Sequence, residues 1–189
     1  PSQPNRRNVL ETLARQQFQT AIRLGGNVAD LFQELGRLHF LANDPSAALS
    51  VYEQGLEKCP QSAGLHLSRG WLLAEENETA AAHDFEETLK LDPQNHEALA
   101  ALGYVHAKTR SNALAERYAM EALLLDSQDY SALFNIACVH AELGQSDPEN
   151  KDRHHRDAIA VLRRAIKLWK DDGSPAARSL PGLIERERD

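Results

Sequence analysis

The chain has 189 residues, 42% of them hydrophobic and 26% charged, which is the make-up of one or two ordinary globular domains and excludes a disordered chain. A formal net charge of −7 argues against general nucleic-acid binding, and two cysteines in separate segments (Cys59, Cys138) exclude a disulfide framework or a thiolate metal site. No apolar run approaches the ~18 residues of a membrane span, and PSQPNRRNVL has no apolar segment of signal-peptide type.

In chain order, residues 1–28 read as an N-terminal helix. Ala14, Phe18, Ala21 and Leu24 set its spacing, and Gly26 stops it. It is either a capping helix or the second helix of an earlier, truncated unit. From residue 29 onward the chain repeats itself. Gly36, Gly70, Gly103 and Ala137 follow one another at intervals of 34, 33 and 34 residues. Ala48, Ala81, Ala115 and Ala158 keep nearly the same beat. Tyr52, Phe85, Ala119 and Leu162 sit four places on. Gly55, Thr88, Ala122 and Ala165 sit three further. Pro60, Pro93 and Ser127 end the first three units; the fourth ends near Lys170 without proline.

The spacing predicts a pair of helices per unit. Glycine lets two helix backbones approach, the bulky residue opposite fills the space, and neither helix can bury its apolar face without neighbours. Pro93 cannot continue a helix and turns Asp92 from helical angles, after which Asn95 can cap the next helix. Ser62 and Asp129 hold the matching places. Asp44-Pro45 is a cap with a proline in the first turn, and Asn77 and Ser111 can cap the second helices that follow. The fourth unit holds about nine extra residues near 144–155. Ser146-Asp147-Pro148 repeats the Asp44-Pro45 signal, so a helix is expected from about 148 to 170, with a disordered loop over 144–155 as the alternative. A tail, 173–189, closes the chain, and its last residues, IERERD, read as a helix cut short, the end of a piece of a longer protein.

A small pair on one helix, then Ala-x-x-x-bulky-x-x-small on the next, then proline, resembles the tetratricopeptide repeat (TPR) family. The departures are moderate. The family's early tryptophan is Phe32, His66, Leu99 and Leu133, and its tyrosine after the glycine is His39, Leu73, His106 and His140. The resemblance implies an all-α, right-handed α-solenoid of stacked antiparallel helix pairs. Its units would be 29–62, 63–95, 96–129 and 130–172.

The resemblance also implies a concave groove lined by first helices and filled by a partner peptide or helix. Carried over residue by residue, the groove positions are Gln33, Arg37, Leu67, Trp71, Ala100, Tyr104, Phe134, Asn135 and Cys138. Trp71, Tyr104 and Phe134 would form an aromatic stripe: an anchor for a partner, a surface covered by this chain or a second copy, or internal packing. The cationic clamp of the members that grip chaperone tails is missing. Its places here hold Gln33, Arg37, Ser68, Glu97 and Ala101, or Leu67, Trp71, Ala101, Ser131 and Asn135 one unit on.

No nucleophile elbow, phosphate loop, H-E-x-x-H or EF-hand spacing is present, so no enzyme, cofactor or metal is expected. His39, His106 and His140 recur one unit apart, on the order of 10 Å, too far to share an ion. They are expected between the helices of each pair, each donating one hydrogen bond. His154-His155 stand in the charged run NKDRHHRD and are expected in solvent, and Arg156, Arg163, Lys167 and Lys170 on a solvated last face. The expected function is a protein-interaction scaffold with a protein or peptide ligand, without nucleic acid or membrane, in the cytoplasm; a homo-oligomer is compatible. The alternative is a structural or oligomerisation module cut from a larger protein, such as a regulatory region beside a kinase.

Overall fold

The computed structural model describes residues 16, 20–21, 28–125 and 128–172. Most of the N-terminal helix segment and the whole 173–189 tail lie outside the described residues; within the former, Gln16, Thr20 and Ala21 are helical. The described residues form eight helices and no strand. These are α1 (Val28–Leu41), α2 (Pro45–Lys58), α3 (Ala63–Leu73), α4 (Glu78–Leu91), α5 (His96–Lys108), α6 (Asn112–Leu124), α7 (Tyr130–Ser146) and α8 (Lys151–Asp172). They pack as consecutive antiparallel pairs. The chain divides into two compact units, residues 1–98 and 99–189.

Local chemistry sets most helix ends. Asp44 accepts from the Ala47 N–H, Ser62 from Leu65, Asn77 from Ala80 and Asn95 from Ala98. Each satisfies one of the amides a helix start leaves over. Asp129 does the same for α7 through the Ser131 N–H. Ser111 precedes α6 but makes no side-chain cap bond, contrary to expectation. Asp147 accepts from the Asn150 N–H, yet α8 opens only at Lys151: Pro148 stands in a turn, and Asn150 accepts the first helical bond, from His154. Two tight turns need left-handed backbone at Asn43 (φ 62°) and Arg110 (φ 60°), each two residues past its helix. Asparagine suits that conformation and arginine does not.

In unit 1, Phe32, Leu35, Ala48, Val51, Tyr52, Leu56 and Leu65 form one buried core across α1, α2 and α3. The glycine of each first helix faces the ring of its second. A methyl on Gly36 would lie 2.2 Å from the Tyr52 ring, and one on Gly70 2.5 Å from Phe85. Beside Phe85 is a buried charge. Asp84, 1% exposed, accepts two bonds from the Arg69 guanidinium (both 2.7 Å) and faces His66 Nδ1 at 2.9 Å. Thr88 donates to the Asp84 carbonyl in the helix. The bidentate arginine is the geometry that makes such burial tolerable.

In the first helix pair of unit 2 the same positions are small. Ala115, Ala119 and Ala122 are buried on α6. Gly103 faces backbone there: a methyl on it would lie 3.3 Å from the Ala115 carbonyl oxygen and 3.5 Å from the Ala119 nitrogen. Leu133, Ile136, Val139 and Leu143 of α7 are fully buried. On α8 only His154 and Ala165 are buried, while Leu162, at a repeat position, and Ala158 beside it in the pattern are half-buried.

Candidate functional site

In unit 1 the first helices α1 and α3 bound a cleft of about 200 Å³. Its lining is Gln33, Arg37, Phe40, Tyr52, Ser68, Trp71 and Leu72. Three expected groove residues, Gln33, Arg37 and Trp71, are therefore brought together. They meet because Gln33 and Arg37 are one turn apart on α1 while α3 presents Trp71 across from them. Phe40, 55% exposed, continues that face. It was not expected, although its place seven residues after Gln33 puts it on the same stripe. Ser68, Leu72 and Tyr52 are likewise additions.

Each side of the cleft has its own chemistry. Arg37 donates from Nε (3.0 Å) and a terminal nitrogen (2.7 Å) to Glu34, and both side chains are exposed, so the pair can open at little cost. Gln33 rests its carbonyl oxygen against Gly64, where a methyl would lie 2.6 Å away. Trp71 meets Phe85 edge to face, ring centres 5.3 Å apart, so one side of its indole is core and the other lines the cleft. Burial pushes the Tyr52 phenol up, against a hydrogen bond with Ser68 that pulls it down. The result is a recess with apolar walls and donors at its rim. It can seat a bulky apolar side chain and bind an adjacent carboxylate or carbonyl.

Of the remaining expected groove residues, Leu67 is half-buried on α3 and does not line this cleft. Ala100 is fully buried and offers a partner no surface. In unit 2, Tyr104 on α5 and Phe134, Asn135 and Cys138 on α7 are exposed in part or half-buried, Asn135 and Phe134 alike, and the Lys108 ammonium stands 5.8 Å from the Tyr104 ring centre.

The repeated histidines sit within their helix pairs. His106 stacks on Tyr118 at 5.4 Å with rings 2° from parallel, and His140 lies 6.0 Å from His154. His140 Nδ1 is buried with no hydrogen-bond partner among the described residues, so the expected single bond is not made there. His154, expected in solvent, is 0% exposed, because the inserted turns fold inward against α7. His155 is exposed, its ring lying over Gly144.

Comparison with known proteins adds three findings. The tetratricopeptide repeat profile matches residues 12–63 and 67–132, more than half of the chain. "Tetratricopeptide repeat protein 8" of Mus musculus is 31% identical over 94 residues, 49% of this chain; the chain spans only 18% of that relative's length. Among solved structures, a tetratricopeptide repeat protein from Parabacteroides merdae superposes with a TM-score of 0.64 at 19% identity, covering 85% of this chain and 63% of that one. YrrB, described as a TPR protein with an unusual peptide-binding site, gives 0.55 at 22% identity, with 82% and 93% covered.

Proposed function

The chain belongs to the tetratricopeptide repeat family, and from that premise we propose that it binds a peptide or helix of a partner protein in the α1–α3 cleft of unit 1. The fold supports a protein-interaction scaffold, and folds of this family are in general non-catalytic. The observation that carries the finer reading is the convergence of Gln33, Arg37, Phe40 and Trp71 on one recess. Trp71 and Phe40 are the anchors, and Arg37 and Gln33 choose a ligand with an acceptor beside its apolar side chain. That a solved structure of the same fold is described as peptide-binding supports the class of ligand. Tyr104, Phe134, Asn135 and Cys138 are proposed as further contacts offered by unit 2.

The test is a paired pull-down from native lysate, read by mass spectrometry, with wild type and Gln33→Ala/Arg37→Glu/Phe40→Ala as baits. These three leave Trp71 on Phe85 and do not touch the core. A protein captured by wild type and lost with the variant, both folded by circular dichroism, is the expected result. Equal capture by both baits sinks the cleft reading. A second reading, an oligomerisation module, is favoured by exposed apolar side chains on α6 and α8: Met120 at 63%, Leu124 at 77% and Ile159 at 52%. Molar mass in solution, for wild type and Leu124→Glu, decides it.

A further inference from the structure

Three polar or charged side chains are buried among the described residues: Asp84, Thr88 and His154. Asp84 and Thr88 have their hydrogen bonds. His154 does not: its Nδ1 is buried without a partner among the described residues. Neither does the Nδ1 of His140, the imidazole next to it. Two imidazoles with ring centres 6.0 Å apart, each with an orphaned buried nitrogen, ask for a partner, since buried polar atoms are satisfied almost without exception.

Asp157 completes the group. It lies three residues beyond His154, on the same face of α8. One ring nitrogen of His140, one of His154 and a carboxylate oxygen of Asp157 all lie within 4.8 Å of one another. We propose that unit 2 holds a divalent first-row metal ion of the zinc class between α7 and α8, with His140, His154 and Asp157 as its ligands.

The surroundings suit a cation. His154 Nε2 faces Asp147 at 3.5 Å and Glu116 at 3.6 Å. Carboxylates facing one nitrogen of a ring orient it the way an outer carboxylate orients a metal-bound histidine. Arg153 lies 3.5 Å from His154 Nε2 and is ion-paired with Glu116.

Two imidazoles with one carboxylate select zinc, cobalt or nickel over calcium or magnesium, which prefer oxygen alone. In a tetrahedral site with bonds near ~2.0–2.1 Å the ligand atoms stand about 3.3 Å apart, so small side-chain rotations close the group. His140 and Asp157 also border a cleft of about 250 Å³ between α6, α7 and α8, through which water completes the coordination shell. The ion would pin the inserted first turns of α8 to α7. No motif announces it in sequence, because the insertion separates His140 from His154.

The test uses the full chain, untagged and stripped with EDTA, titrated with zinc alone in a calorimeter, and separately with cobalt(II), whose visible spectrum reports imidazole coordination. One zinc per chain, a higher melting temperature and a cobalt spectrum of low coordination number are expected. His140→Gln and half-buried Asp157→Asn should each weaken zinc at least ~10-fold, while His83→Gln, an exposed histidine of α4, should leave it unchanged. His154→Ala removes a core side chain, so the decision rests on the two former variants, each checked for fold by circular dichroism. Absence of stoichiometric zinc binding overturns the site, as does affinity that survives both variants.

Discussion

In unit 1 the glycine of each first helix faces an aromatic ring; in unit 2 Gly103 faces the backbone of α6 across alanines. Both satisfy one repeat pattern, but by different physics. Unit 1 gains large apolar burial from Tyr52 and Phe85 and carries a buried carboxylate that only Arg69 and His66 make tolerable. Unit 2 gains close helix contact from small residues, and its longer last pair sinks an imidazole, His154, at the phase where the other pairs carry the polar residues Asp44, Asn77 and Ser111. The difference teaches that the period fixes spacing while the filling is free to vary, so charge and chemistry can enter one unit and not another.

Each unit has its own tryptophan, Trp71 or Trp169, so variants Trp169→Phe and Trp71→Phe let fluorescence follow them separately. The largest break is Phe85→Ala in the Trp169→Phe background. It empties the recess under Gly70 and should cost about 3–5 kcal/mol in the Trp71 transition. A loss under about 1 kcal/mol would mean that the ring is not a keystone. Arg69→Met strands Asp84 with His66 alone; about 3 kcal/mol is expected, at the low end for breaking a buried pair, and Arg69→Met/Asp84→Leu should recover much of it.

Gly70→Ala and Gly103→Ala compare the units directly. The former pushes a methyl into Phe85 and should cost about 1–3 kcal/mol, while the latter meets its neighbours at 3.1 Å or more and should cost less. Gly103→Leu must displace backbone and should reach the ~1–3 kcal/mol range as well. Equal melting temperatures for Gly70→Ala and Gly103→Ala would erase the contrast. Caps give a smaller one: Asn77→Ala should cost about 1 kcal/mol, and Ser111→Ala close to nothing, because Ser111 makes no cap bond.

The smallest effect is one of pH. Burial raises the Tyr52 phenol above the ordinary value near 10. Folded Tyr52 stays neutral where the unfolded chain ionises, so its contribution is whole below about pH 10 and lost as pH rises from there towards the folded value. Tyr52→Phe should therefore flatten the alkaline loss of unit 1, measured as denaturation midpoint against pH. An unchanged slope would show that Tyr52 ionises freely.

Much of this was legible in the residues. The helix pairs followed from Gly36, Gly70 and Gly103 with their partners on the next helix, and most caps from Asp44, Ser62, Asn77, Asn95 and Asp129. Such signals are local, acting within four residues or through a fixed period. Part of the cleft, Gln33, Arg37 and Trp71, was among the positions that the family resemblance implied. Phe40 lies one turn beyond the carried-over groove positions, and Ala100 is among them because a family's groove pattern gives a helix face and not its depth. Ser111 matched a cap pattern but makes no cap bond.

The sequence by itself determined the family, the helix-pair period and the pieces of each pair, because backbone geometry and apolar spacing are short-range properties. Tertiary structure alone decided that His154 is buried, that it lies beside His140 and Asp157, and that Arg69 closes on Asp84. His154 and Asp157 stand 14 and 17 residues beyond His140, and their meeting depends on how an inserted turn folds back, which no local preference specifies.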